Sequence, residues 1–291
     1  MERRPLADVF SDQDLALIAA GRCPHCRRMA DERLRDLLSD PTPHPRATLA
    51  ALGQWFTAAA DHGEGITAHY RARLRSDVCN HKSFYQTVGE LMVAYFLEKQ
   101  QGWNLRYVLP DPRRGPTPEF VVRVGDTSLN VEVKTIVDGI GVNLTNACPV
   151  ASRAPTIRSL TEDSVPKLTK SGRNLVFIVG YCRPPIPLGD VTDALYGTFQ
   201  LRIPLYRDGR VGDCHPARDG DGRLKPTFNT RVGAVGVLEQ SRFADCACCF
   251  LHNAYAARPI PYSTLDPCPQ LIPDEEEQRL VCHNSDWSLW S

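Results

Sequence analysis

The chain has 291 residues, 42% of them apolar, enough for one large domain or two small ones with a sizeable core. Lysine plus arginine and aspartate plus glutamate number 34 each, so zero net charge excludes a globally basic nucleic-acid coat while leaving room for a local basic groove. No run approaches the roughly 18 apolar residues that span a bilayer. No apolar stretch follows Met1-Glu-Arg-Arg-Pro, so the chain reads as cytoplasmic, with no secretory signal and no membrane contact. Eleven cysteines, odd in number and irregularly spaced, favour free thiols or a metal site over a disulfide framework.

Residues 1 to about 80 read as a helical region rich in arginine. Asp12–Ala20, Met29–Leu38 and Thr48–Ala60 are its candidate helices, with Pro41, Pro43 and Pro45 breaking the chain between the second and third. A stronger helix is expected over Phe84–Lys99. Phe84, Val88, Leu91, Met92, Tyr95 and Phe96 recur at helical spacing, and Val93, Ala94 and Leu97 fill the other flank, which predicts burial nearly all round. Gly102 closes it. Glu90 is drawn into this apolar zone, with Gln86 one turn earlier on the same face.

Leu105–Leu109 reads as a short strand and Pro110–Pro118 as a loop. From Pro118 to Thr135 the chain reads as a hairpin. Phe120, Val122, Val124, Leu129, Val131 and Val133 alternate with polar residues, and Gly125-Asp126 supplies the turn. A two-residue turn puts Glu119 opposite Glu132; a four-residue turn puts it opposite Lys134. Either way Glu119, Asn130, Glu132 and Lys134 share a face. Facing carboxylates destabilise a hairpin by roughly 0.2–1 kcal/mol, and a bound cation is one reason to tolerate that.

Residues 136–156 read as irregular, and helix is expected within 156–170 around Pro166. Asn174–Tyr181 is a continuous apolar run, the mark of a central strand buried on both faces. Residues 183–230 read as a loop-rich insertion, Val232–Leu238 as another buried strand, and 261–291 as a tail. The order of helix, three strands, helix, strand and a further strand suits an α/β fold, a mixed sheet flanked by helices.

Gly89-Glu90 on the helix, Pro118-Glu119 at the opening of the second strand, and Glu132-Val133-Lys134 on the third resemble the PD-(D/E)xK nuclease superfamily over residues 84–181. The resemblance implies a restriction-endonuclease-like domain over 81–260. It also implies that Glu119 and Glu132 bind Mg²⁺, with Mn²⁺ as a substitute, that Glu90 completes the metal shell and that Lys134 positions or activates the attacking water. The family's first acid is usually Asp. Glu119 stands there, and Asp111 in Pro110-Asp111 is the alternative. Carboxylate-held Mg²⁺ would supply a nucleophilic water, charge neutralisation and leaving-group stabilisation for phosphodiester hydrolysis. The expected partner is nucleic acid, DNA ahead of RNA, cut by a homodimer. Gln86, Arg113, Arg114, Lys167 and Lys170 are candidates for contacting it. The alternative reading is a catalytically inactive nucleic-acid-binding or scaffold protein of the same fold.

Cys23-Pro-His-Cys26 has the spacing of a zinc half-site. Its candidate partners are Cys79 with His81, Cys214 with His215, and Cys282 with His283. Cys246-Ala-Cys248-Cys249 reads as core.

Overall fold

The computed structural model describes residues 6–284 except 40–42, 138–151, 182–185, 208–209, 213–214, 243–244, 275–278 and the single positions 27, 31, 112, 114, 205, 219 and 227. Five helices come first: α1 (Asp12–Ala19), α2 (Glu32–Ser39), α3 (Pro43–Ala60), α4 (Glu64–Ser76) and α5 (His81–Tyr95). Ser11 caps α1 in a reciprocal capping box with Asp14. α3 begins at Pro43 rather than at Thr48. Prolines in a first turn give up N–H groups that would lack intrahelical partners anyway, so Pro43 and Pro45 open the helix instead of breaking it. α4 was not anticipated, although Ile66, Tyr70 and Leu74 recur at helical spacing along it. α5 continues through a π-helical turn over Phe96–Gln100, and Gly102, at φ 67°, ends the run.

The sheet follows: β1 (Asn104–Tyr107), β2 (Phe120–Val124), β3 (Thr127–Val137), β4 (Arg173–Tyr181), β7 (Ala234–Arg242), β8 (Asp245–His252), β9 (Gln270–Asp274) and β10 (Arg279–His283) pair in that spatial order. The β3–β4, β4–β7 and β8–β9 pairs are parallel and the others antiparallel, so the sheet is mixed. The α6 helix (Ala154–Ser164) and a 3₁₀ turn over Val165–Lys167 cross between β3 and β4. Within 183–230 the structure adds α7 (Leu188–Tyr196) and a small sheet of β5 (Phe199–Arg202) and β6 (His215–Arg218). The chain beyond 261, expected as a tail, supplies β9 and β10. Cys246, Cys248 and Cys249 are buried in β8, as core.

Alternation along the strands makes two cores, one on each face of the sheet. Leu129, Val131, Val133, Leu175, Phe177 and Val179 face α1–α5. Ile136, Val176, Ile178, Val235 and Val237 face α6 and α7. Leu175 through Val179 are all fully buried, as the unbroken apolar run predicts. The first core is continuous from Leu6 and Trp55 to Phe250, so the helical N-terminal region packs on the sheet itself. Among the described residues no helix is long and apolar enough to cross a membrane.

At Gly89 the α5 backbone lies close against the sheet. A Cβ there would run into Thr135 Oγ1 on β3, a buried hydroxyl with no hydrogen-bond partner among the described residues. Overpacking costs about 1–3 kcal/mol, and alanine recovers up to about 1 kcal/mol of helix propensity. We therefore expect Gly89→Ala to cost roughly 1 kcal/mol of stability, read as a lower urea midpoint. Adding Thr135→Ala should restore the parent value; a double variant no more stable than Gly89→Ala would disprove the clash.

Candidate functional site

The site is built where two strands part company. Val124 pairs with Thr127, so the turn is the two residues Gly125-Asp126, with Gly125 at φ 56°. That register continues to Phe120 opposite Val131 and a bond from the Glu119 N–H to the Val131 carbonyl (3.0 Å). Glu119 therefore stands opposite Glu132, as the shorter turn requires. β2 ends here, but β3 runs on to Val137. The backbone edge left behind is met by Gln86 on α5. Its side-chain amide donates to the Val133 carbonyl (2.9 Å), and its carbonyl accepts from the Thr135 N–H (3.1 Å). Gln86 thus acts as one residue of a missing strand and ties α5 to β3 at the level of Glu90.

A pocket of about 410 Å³ opens at this gap, lined by Arg73, Gln86, Glu90, Glu119, Lys134 and Lys167 among others. Glu132 is fully buried behind these groups. The Lys167 ammonium, from the 3₁₀ turn, bridges the two facing carboxylates: it is 2.7 Å from Glu119 Oε1 and 2.9 Å from Glu132 Oε1. Lys134 approaches the same Glu132 oxygen at 3.1 Å. Both contacts to Glu132 are ion pairs without hydrogen-bond alignment, and neither Glu132 oxygen is hydrogen-bonded among the described residues. Glu90 is fully engaged. Arg73 holds it in bidentate fashion, with Nη2 2.9 Å from Oε1, and Gln86 donates to Oε1 at 3.1 Å.

Burial, then the neighbouring Glu119 charge, push the Glu132 carboxyl up to about 7, against the pull of Lys167 and Lys134. Burial and Glu119 also push Glu90 up, while Arg73 pulls it down. Burial works against the Lys167 ammonium, but Glu119 and Glu132 outweigh it and hold its pKa at about 12. Lys167 is therefore charged and committed to the acidic pair, a role its position beside the buried strand did not disclose. Arg73 was not foreseen either; it sits on α4, whose apolar spacing was the available signal.

The remaining candidates lie elsewhere. Asp111 accepts from the Arg113 N–H (2.9 Å) within its own loop, and neither residue lines the pocket. Arg114 is outside the described residues. Lys170 is exposed and away from the lining. Asn130 shares the Glu132 face but bonds to Thr169 and Asn174, tying β3 to the start of β4.

Comparison with known protein families, with curated proteins and with solved structures finds no match to this chain. What the site can do therefore rests on its own groups: two facing carboxylates, one with an oxygen free of hydrogen bonds, and two ammonium groups against them. Hard oxygen donors of this kind suit Mg²⁺ or Mn²⁺.

Glu132 also sets a pH dependence. An acid whose folded pKa exceeds its unfolded value binds more protons when folded, so its contribution to stability falls as pH rises from the ordinary 4.5 through about 7. Glu132→Gln, neutral at every pH, removes that fall. In metal-free buffer at pH 8 the variant should be more stable than the parent by up to about 3 kcal/mol, and at pH 4 the two should coincide. Urea titrations across this range check it, and a parent equally stable at both ends relative to the variant would contradict it.

Proposed function

We propose that this chain is a divalent-metal-dependent phosphodiesterase of the restriction-endonuclease-like class, acting on nucleic acid, DNA ahead of RNA. The observation that carries the reading is the buried Glu132 facing Glu119 across the hairpin, with an oxygen free of hydrogen bonds and Lys134 two residues on. The order of α5, three strands, α6 and β4 supports the fold class. Mg²⁺ or Mn²⁺ bound at the pair would supply Lewis acidity for the phosphate and an acidified water. The protein's own groups do the rest. Glu119 and Glu132 present carboxylate oxygens toward one point. Lys134, held beside Glu132, donates hydrogen bonds that orient a water and offset charge growing on the non-bridging oxygens. Arg73 and Gln86 fix Glu90 at the pocket wall. Cutting both strands of a duplex needs two such sites, so a pair of chains is the proposed working unit.

One observation favours the second reading, an inactive nucleic-acid-binding protein. Three acids, Glu90, Glu119 and Glu132, meet three cations, Arg73, Lys134 and Lys167, so each carboxylate already has a cation of the protein against it. Lys167 competes with a divalent ion for the same two carboxylates.

The two readings part on a simple assay. Purified protein is incubated with plasmid DNA and with RNA, in Mg²⁺ and in Mn²⁺. We expect cleavage by the parent and a loss on the order of a hundredfold or more in Lys134→Ala and Glu132→Gln. Equal cleavage by parent and Lys134→Ala, or none under any condition, would sink the catalytic reading. Lys167→Met should tighten Mn²⁺ binding in calorimetry, because its ammonium no longer occupies the carboxylate pair; unchanged affinity would show that Lys167 is no competitor.

A further inference from the structure

The carboxylate site leaves one metal-binding signature unused. Cys23-Pro-His-Cys26 lies in a tight loop whose ends, Arg22 and Met29, pair as an antiparallel bridge. Inside it the Cys23 N–H donates to the Arg28 carbonyl (3.2 Å), and the Arg28 N–H donates to Cys26 Sγ (3.4 Å). A backbone N–H aimed at sulfur stabilises thiolate, the form that binds metal. Cys79 enters this loop from the joint between α4 and α5, with its sulfur 3.4 Å from that of Cys26. All three sulfurs lie within 4.8 Å of one another. Tetrahedral zinc with Zn–S bonds of about 2.3 Å places its sulfurs about 3.8 Å apart, close to the 3.4 Å between Cys26 and Cys79 and inside the 4.8 Å limit of the group.

We propose that Cys23, Cys26 and Cys79 hold a structural zinc ion. Three soft thiolates select zinc over the hard cations suited to the carboxylate pair, so the chain would carry two metals in chemically distinct sites. The sulfur separation is far beyond the roughly 2.05 Å of a disulfide, and a third thiol in the group has no place in a simple pair. The fourth tetrahedral position falls to water or an imidazole; His25 inside the loop and His81 two residues past Cys79 are the nearest in sequence.

The site joins segments 53 residues apart. Arg75 on α4 reinforces the same joint, bonding to His25 (3.4 Å) and to Asp14 on α1 (3.3 Å). Six residues before Cys79, α4 carries Arg73, which holds Glu90. The zinc would therefore fasten the first helix to the element that positions Arg73.

The test is metal content of the full chain, expressed with zinc and purified without chelator, read by mass spectrometry of the elements. Roughly one zinc per chain is expected. It should be lost in Cys26→Ser and Cys79→Ser and kept in Cys282→Ser, a control at an exposed thiol outside the group. Should the cysteine variants fail to fold, replacing zinc by cobalt in the parent must produce thiolate-to-cobalt charge-transfer absorption. A parent without zinc, zinc retained in Cys79→Ser, or a peptide map of the unreduced chain showing a Cys26–Cys79 disulfide would overturn the proposal. The readout is zinc itself, so it stands or falls independently of whether the chain cuts nucleic acid.

Discussion

The site depends on an unpaired strand edge. β3 extends from Glu132 to Val137 after β2 has ended, and a backbone edge within a protein must find hydrogen-bond partners. Continuing β2 would satisfy it but would fill the space in front of Glu132 and Lys134. Gln86 satisfies it instead with a single side-chain amide, which has one donor and one acceptor in the arrangement of a peptide group. The edge is paired while the pocket stays open. This also explains why α5 sits so close to β3 at Gly89: a short side chain can bridge the gap only if the helix backbone approaches.

The second constraint is charge. Glu132 is fully buried and Glu90 nearly so, and isolated carboxylates in such places are costly. The protein sets cations against them from three different elements: Arg73 from α4, Lys134 from β3 and Lys167 from the turn after α6. The compensation is uneven. Glu90 has both oxygens in hydrogen bonds, so its environment is closed. Glu132 has near ammonium groups but no aligned donor, which leaves its carboxyl raised toward neutrality. A buried acid left short of donors is a poor structural element and a reasonable ligand, since an incoming cation gains what the protein has not supplied.

The hairpin, the buried helix and the central strand were legible because each is written in local periodicity. Alternation from Phe120 to Val133, helical spacing from Phe84 to Phe96 and the apolar run Leu175–Val179 need no distant partner to be read. The register of the hairpin was open between a two-residue and a four-residue turn; the Val124–Thr127 pair decides for the shorter one, and with it for the facing of Glu119 and Glu132. What escaped was set at a distance. Lys167 lies 48 residues from Glu119, and nothing in its own neighbourhood marks it as the bridge. Arg73 is one of several arginines on α4 and becomes special only because α4 packs beside α5. β9 and β10 are short, β9 carries Pro273, and their pairing is with each other and with the end of β8. Cys79 meets the Cys23–Cys26 loop across the α4–α5 joint, which spacing alone could raise as one of three options but not select.

The same geometry gives a reason for glutamate rather than aspartate at position 119. Glu119 immediately precedes β2, held by the bond from its N–H to the Val131 carbonyl, and its carboxylate reaches Lys167, which comes from the turn after α6. An aspartate at the same backbone position would stop one methylene short of a contact that is now 2.7 Å. Shortening the acid would leave Glu132 to face Lys167 alone and Lys167 with half its charge compensation. The longer side chain is therefore matched to a cation that comes from another element, and the acidic pair and its lysine form one unit whose parts fit only together.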